Sequence, residues 1–474
     1  MRITSHPILD FERKGKIQFT YNGEPAEGYE NDTIASALYA SGVTTFRKSI
    51  DLKRPRGFFC AIGNCSSCAM EVDGVANVRT CIIPLKEGMS VKTQDAYPMP
   101  KDIDRKVDAP LFLETDVAVI GGGPAGLKAA LAAADMGAAV TILDRNYMLG
   151  GQLLKQTHKF FGSEAYYAGV RGTDIARIFI EKIREHKRID VLVNASVDAF
   201  RENKSLQINM DHGRRLANLK YGKAIVACGA NEAMVNVENN DLPGVYGAGA
   251  IQTLVNVYGI EVGKNVLVIG AGNVGLILAY HLLQAGIKVA GVVEALPKIS
   301  GFVVHAKKIA RRGVPIFTSH ALCFIEGKDR VEAANIVALD ENCNAVPGSE
   351  KRFSIDTVAL AVGLQPDYRI GYQKGCVHKF TPELCGFVPL RNPSMQTTEE
   401  DVYVAGDCTG IEEATTAMME GELAGIRAAF DLGYTSKEAP ARMEELRATM
   451  GQFRTSDKGQ AIKKGIEKVT LDEK

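Results

Sequence analysis

An apolar strand, a glycine turn and an Ala/Leu-rich helix follow one another at residues 117–134, and the same succession returns at 266–285. The first copy reads DVAVIGGGPAGLKAALAAADMG and the second NVLVIGAGNVGLILAYHLLQAG. Gly121, Gly123 and Gly126, with Pro124 and Ala125 between them, form a G-x-G-x-x-G turn directly after the strand Asp116–Ile120. Gly270, Gly272 and Gly275, with Asn273, form its counterpart. Glycine is needed there because the backbone must come close to a pyrophosphate while the helix N-terminus faces its charge. An acid ends the following strand in both copies: Asp144 after Val140–Leu143, and Glu294 in the second copy. Each is placed to accept a ribose hydroxyl. At Glu294 an acid favours an unphosphorylated ribose, hence NAD(H) or another adenine nucleotide over NADPH. Together these features predict two nucleotide-binding units in an α/β chain. The plainer alternative is glycines kept for helix–strand packing, with the second fold's nucleotide lost or exchanged.

The chain has 474 residues, which sets an expectation of roughly three domains. Its 56 Lys+Arg balance 56 Asp+Glu, so no overall field draws it to nucleic acid or an anionic membrane. The two most apolar stretches, Val117–Val140 and Val266–Val293, are broken by glycine clusters and by Lys128, Asp135, Asn273 and Gln284, and read as buried elements, not transmembrane segments. The N-terminus meets Asp10, Glu12, Arg13 and Lys14 before any secretory apolar run, which predicts a cytoplasmic protein. In a reducing compartment, clustered cysteines argue for metal or redox chemistry over disulfides.

Ten cysteines are present, and four of them cluster. Residues 16–98 read as a small β-rich unit: Lys16–Tyr21 and Ala69–Val75 alternate as strands, and Asp32–Ser41 is helical with Asp32 as its cap. Between helix and later strand lie Cys60, Cys65 and Cys68, followed by Cys81, a C-x4-C-x2-C-x12-C spacing. Three thiolates at x4 and x2 spacing can wrap a [2Fe–2S] cluster while the fourth arrives from outside the loop. Gly57 and Gly63 let the loop turn tightly and aim N–H groups at sulfur. The alternatives are a zinc site, which usually pairs two C-x2-C knuckles where this chain has one, and unligated core cysteine. The eight histidines form no closely spaced pair, and no Ser/His/Asp or paired-carboxylate arrangement stands out, so the chemistry is expected from cofactors and no catalytic side chain is assigned.

The phrases RGFFCAIGNCSSC and VRTC resemble the plant-type-ferredoxin-like domain fused to, or partnered with, FAD-dependent amine and opine dehydrogenases. Residues 115–430 resemble two-dinucleotide flavoproteins in LGGQL, which contains Gly150, Gly151 and Gln152, in AIVACGANE with Gly229, in ALAVGLQPD, and in DVYVAGDCTGI, whose strand ends on Gly406 and Asp407. In that family the late aspartate bonds the ribityl or phosphate region of FAD; a plain strand-end turn is the alternative. Pyridine nucleotide–disulfide enzymes need two cysteines close together by the flavin. None of Cys228, Cys323, Cys343, Cys376, Cys385 and Cys408 has such a neighbour, so disulfide reduction is not expected. Cys228 and Cys408 read as small buried hydrophobes, and Met418 and Met419 as packing for a helix under the flavin.

Taken whole, the chain resembles the α subunits of heteromeric dye-linked L-proline dehydrogenases, opine oxidases, hydrogen cyanide synthase and heterotetrameric sarcosine oxidase. The resemblance implies two Rossmann-like folds, one inserted in the other, behind an α+β ferredoxin-like domain. It implies a ferredoxin-like domain at 1–98, a linker at 99–114, FAD-domain halves at 115–250 and 351–430, an inserted NAD(H)-type domain at 251–350 and a charged helical tail at 431–474. FAD is the assignment for the first fold, although relatives place FAD, NAD or ATP there. An FMN at a subunit contact, a β subunit that carries its own FAD and oxidises the amino acid, and an electron-acceptor protein are further implications. Many relatives end in a further cysteine-bearing module; the tail after Gly425 has no cysteine, so that module is expected to be absent. The expected function is electron transfer between a flavin and a [2Fe–2S] cluster. A free-standing NADH:acceptor oxidoreductase and a non-catalytic nucleotide-binding scaffold are the alternatives.

Overall fold

The computed structural model describes residues 1–97, 108–160, 164–213 and 215–472. The chain forms two compact units, one of Met1–Asp104 with Glu232–Gly363 and one of Arg105–Asn231 with Leu364–Lys474.

In the first unit, Asn22 and Gly23, both at positive φ (54° and 89°), turn Lys16–Tyr21 back on Glu24–Tyr29. Asn-Gly suits this hairpin turn because both residues tolerate left-handed backbone. Ser90–Lys92, Ala69–Val72 and Val75–Arg79 complete a five-stranded sheet. The expected single strand Ala69–Val75 is therefore two strands. Asp73 and Gly74, at φ 48° and 79°, make a second tight turn that an alternation pattern does not register. The helix also differs at its start. Thr33, not Asp32, caps Ile34–Ala40: Thr33 Oγ1 accepts from Ser36 N–H at 3.2 Å while Ser36 Oγ accepts from Thr33 N–H at 2.9 Å. Asp32 is occupied by Arg2, Ser36 Oγ–H and Tyr29 N–H.

The rest of this unit is a parallel sheet in the order Val245–Gly247, Thr357–Leu360, Asn265–Ile269, Lys288–Val293, Ile316–Phe317, with an antiparallel sheet of His320–Glu326, Ala333–Ala338 and Lys351–Ser354 beside it. One core runs through both parts, joining Tyr39, Phe46 and Phe58 to Tyr246, Ile251, Leu254 and Ile260. Tyr39 and Tyr246 hydroxyls meet at 2.6 Å inside it.

The second unit is built on a seven-stranded sheet in which Val140–Leu143, Leu111–Ile120 and Arg215–Val226 run parallel and Val402–Val404 joins Arg215–Val226. Of the expected linker at 99–114, residues 99–107 lie outside the described residues and Leu111 already begins a strand. The helices Pro124–Asp135 and Ala414–Phe430 cross at very close range, because Gly421 and Gly425 lie against the carbonyls of Ala125 and Ala129. A Cβ on either glycine would stand 2.1 Å or 2.3 Å from those oxygens. Met418 and Met419 are buried in this core.

The charged tail is part of the same unit. Helix Ala439–Phe453 buries Met443, Leu446 and Met450 in the main core, and Ile462 and Val469 cluster with Leu384 and Val388. Both apolar stretches resolve into strand, turn and helix, and among the described residues no helix is long and apolar enough to cross a membrane.

Candidate cofactor sites

The cysteine loop winds through left-handed backbone at Ala61, Gly63 and Ser66 (φ 50°, 72° and 59°), which folds Cys60, Cys65 and Cys68 onto one another. Cys81, in the short helical turn Thr80–Ile82, closes the group from outside the loop. The sulfurs contact in the sequence Cys65, Cys60, Cys81, Cys68. Cys60 also accepts from the N–H groups of Asn64 and Cys65, both at 3.4 Å. The sulfurs compete for protons. The thiol of Cys65 beside it, together with that of Cys81, pulls Cys60 far down, and Cys81 does the same to Cys68; Cys65 and Cys81 are pushed up in turn. Four gathered thiols can ionise together only beside positive charge, which an iron–sulfur cluster supplies. Among the described residues no group of three or more His, Cys, Asp or Glu side chains is disposed to hold a single ion. Cys60, Cys68 and Cys81 are buried and Cys65 reaches the surface.

The first glycine turn has the shape of a dinucleotide cradle. Gly121, at φ 112°, lies so close to Ala227 O that a Cβ would fall 2.3 Å from it, and a Cβ on Gly126 would fall 1.8 Å from Gly121 O. Above Gly123 there is open space, and Gly123 starts helix Pro124–Asp135 with no side-chain cap. Backbone donors therefore face a void of the kind a pyrophosphate fills. Buried Asp144 accepts Gly122 N–H and Asn146 N–H, both at 2.8 Å; burial raises its pKa and these bonds oppose the rise. Gly150 N–H bonds Gly122 O, and Gly151, at φ 52°, rests on Gly123. Gln152 is exposed, whereas the hydroxyl of Thr157, later in the same loop, is buried with no partner among the described residues.

Gly229 (φ 73°) has open space at its α-carbon and accepts Asp367 N–H at 2.9 Å, while Gly406 (φ 77°) packs on Ala125. Asp407 follows it in the turn Gly406–Thr409. Burial, then the charges of Glu420 and Glu412, pushes Asp407 up to about 7. Glu420 is buried, accepting Gly406 N–H at 2.9 Å and Thr409 Oγ–H at 3.0 Å, and Arg454 reaches it at 3.4 Å while gripping Glu412 with two bonds. Glu420, Glu412 and Arg454 carry no signal in the sequence, since partners 34 and 42 residues apart follow no periodicity.

Cys228 and Cys408 donate to the carbonyls of Ile120 and Val226. Burial raises Cys228 strongly and Cys408 to about 12, so both stay thiols. All ten cysteines are free.

The second turn repeats the first almost bond for bond. A Cβ on Gly270, at φ 109°, would fall 2.3 Å from Ala361 O, one on Gly275 2.0 Å from Gly270 O, and one on Gly272 3.5 Å from Ser300 Oγ. Buried Glu294 accepts Ala271 N–H at 2.8 Å and Leu296 N–H at 3.0 Å, as Asp144 does in the first fold. Gly301 N–H bonds Ala271 O as Gly150 bonds Gly122. Asn273 Oδ1 accepts Phe302 N–H at 2.8 Å and so holds the loop over the turn. An uncapped helix start and the trailing acid fit an adenine nucleotide here as well.

The profile of the pyridine nucleotide-disulphide oxidoreductases matches residues 115–421, and that of the 2Fe-2S iron-sulfur cluster binding domain matches residues 14–96. The alpha subunit of sarcosine oxidase from Corynebacterium sp. (strain P-1) is 25% identical over 453 residues, 90% of this chain and 45% of that protein. The chain thus spans less than half of that relative. One subunit of the opine oxidase from Agrobacterium tumefaciens (strain Ach5) is 26% identical over 347 residues, 68% of this chain and 67% of that protein. Among solved structures, L-proline dehydrogenase from P. horikoshii superposes with a TM-score of 0.71 at 22% identity, over 94% of this chain and 79% of that one.

Proposed function

Because this chain belongs to the pyridine nucleotide-disulphide oxidoreductase family and carries a 2Fe-2S binding domain, we propose that it is the electron-transfer subunit of a heteromeric amino-acid dehydrogenase or oxidase. The observation that carries this reading is the presence, on one chain, of a four-sulfur group and an open dinucleotide cradle with no paired cysteines beside it. FAD when bound accepts electrons in pairs and releases them singly, and the cluster takes single electrons. The chain's own residues bind and position. The uncapped start of Pro124–Asp135 faces the pyrophosphate, Asp144 offers its carboxylate to ribose, and Asp407, in the turn Gly406–Thr409, offers its carboxyl group to the ribityl region.

Oxidation of the amino acid, of proline, sarcosine or opine type, belongs to a partner subunit with its own FAD, with FMN at a subunit contact as a further group. Support comes from relatives whose names make them subunits and from the lack of any paired acid–base or nucleophilic arrangement in the motifs of this chain. Free cysteines throughout support a cytoplasmic location.

A second reading, a free-standing NADH:acceptor oxidoreductase, is favoured by Glu294 at the second turn. Anaerobic addition of NADH to the purified chain separates the two. Flavin that bleaches rapidly supports the free-standing enzyme. Flavin that stays oxidised until an amino acid and the partner that oxidises it are supplied supports the electron-transfer role.

A further inference from the structure

The loop that carries the cysteines is fastened to the second nucleotide fold. Arg54 Nε and Nη2 donate to the two carboxylate oxygens of Asp241 at 2.8 Å and 2.6 Å, and Arg56 Nη1 donates to the same carboxylate. Asn239 takes a further bond from Arg54 at 2.9 Å. These arginines lie just before the loop, and Asp241 just before the strand Val245–Gly247. Gly57 lets the chain approach Pro243, where a Cβ would meet that ring at 3.2 Å. Phe59 packs into the second fold's core, and its carbonyl, one residue before Cys60, accepts Gly247 N–H at 3.0 Å.

Gly247 is not a remote anchor. It stands opposite Leu360 in the parallel pair, and the next residue, Ala361, presents the carbonyl on which Gly270 rests. From cluster ligand to nucleotide turn the contacts are continuous: Cys60, Phe59 O, Gly247, Leu360, Ala361 O, Gly270.

We propose that the second nucleotide turn and the cysteine loop are one coupled element, in which an adenine nucleotide at Gly270–Gly275 alters the cluster's surroundings and Asp241, by gripping Arg54 and Arg56, is the positioning residue that keeps the loop seated on that path. A packed contact chain of this kind passes on small displacements, and coupling must act equally in both directions. The inference rests on the reading that the second fold takes an adenine nucleotide, and the test separates the two.

The probe is ADP-ribose, which has the adenine, ribose and pyrophosphate but no redox-active ring, added to the whole iron-loaded, flavin-loaded chain. Calorimetry measures its affinity with the cluster oxidised and reduced, and electron paramagnetic resonance records the reduced cluster. The expected result is at least a threefold difference in affinity between the two states, equivalent to about 28 mV at 59 mV per tenfold for one electron, and a shifted cluster signal. Asp241→Asn should remove the difference while binding persists, and Asp241→Glu should restore it. Equal affinities with an unchanged signal overturn the coupling and leave the nucleotide reading intact. No binding overturns the nucleotide reading and the coupling with it. Unaltered coupling in Asp241→Asn removes Asp241 from its role. If that variant does not fold, Arg54→Lys, which keeps the charge and loses the two-oxygen grip, replaces it.

Discussion

Gly421→Ala sets helix propensity against packing. In a helix interior alanine is favoured over glycine by about 1 kcal/mol, so on propensity alone the variant is stabilised. The structure reverses the sign. The new Cβ would lie 2.1 Å from Ala125 O and 2.8 Å from its carbonyl carbon, both backbone atoms that cannot rotate away. Restoring contact distance requires helices Pro124–Asp135 and Ala414–Phe430 to part by roughly 1 Å, and overpacking of this kind costs about 1–3 kcal/mol. With contact to backbone placing it at the upper end, the net loss is about 2 kcal/mol, or about 4–8 °C in Tm for a unit of this size. Ala125 belongs to the first turn of the helix whose N-terminus faces the cradle, so flavin retention should fall with it. Gly451→Ala is the control: that glycine lies in helix Ala439–Phe453 with nothing within 4 Å of a Cβ, and should gain about 0.5–1 kcal/mol. Thermal unfolding followed at the flavin and in the far ultraviolet reads both. If Gly421→Ala raises Tm as Gly451→Ala does, and flavin content is unchanged, the close helix crossing is wrong.

Three further outcomes follow from the sites. Cys65→Ser, at the exposed corner of the sulfur group, should lower iron per chain severalfold with little loss of fold, whereas Cys68→Ser, buried, should also reduce solubility; iron analysis with circular dichroism reads both. Asp407 has its folded pKa raised from 3.8 to about 7, so the folded state binds the extra proton between those values. The flavin-free chain should therefore lose stability as pH rises from about 4 to about 7 and level off above, and Asp407→Asn should flatten that slope in a Tm-against-pH series. Glu294→Ala should weaken adenine-nucleotide binding at the second turn about tenfold and leave flavin content alone, while Asp144→Ala should do the converse; calorimetry and absorbance distinguish them.

The parts of the molecule legible in its residues are those whose requirement is local. Gly121, Gly126, Gly270 and Gly275 are glycine because a neighbouring carbonyl leaves no room for a Cβ, and that need writes itself into a fixed spacing. The four cysteines are legible for the same reason, since ligand spacing follows loop geometry. Local competition defeated the finer reading. Thr33 and Asp32 are both good helix caps, and the bonds Asp32 takes from Arg2, Tyr29 and Ser36 leave Thr33 to serve. Asp73-Gly74 breaks a strand that alternation alone runs through. What has no local signature at all is long-range partnership. Arg454 meeting Glu412 and Glu420, and Asp241 taking Arg54 and Arg56, pair residues whose separations follow no repeat, and the tail's integration through Leu446 and Val469 looks in sequence like any solvated charged helix.

In the proposed role this chain holds a [2Fe–2S] cluster and a flavin and passes single electrons between them. The most direct test is an anaerobic reductive titration of the purified chain, following flavin absorbance and the low-temperature electron paramagnetic resonance of the cluster in the same samples. Acid-labile sulfide equal to iron is expected, with both centres reduced on one chain and electrons added to one redistributing to the other. Bound zinc with no labile sulfide, or a cluster whose signal is unaffected while the flavin is reduced and reoxidised, would contradict it.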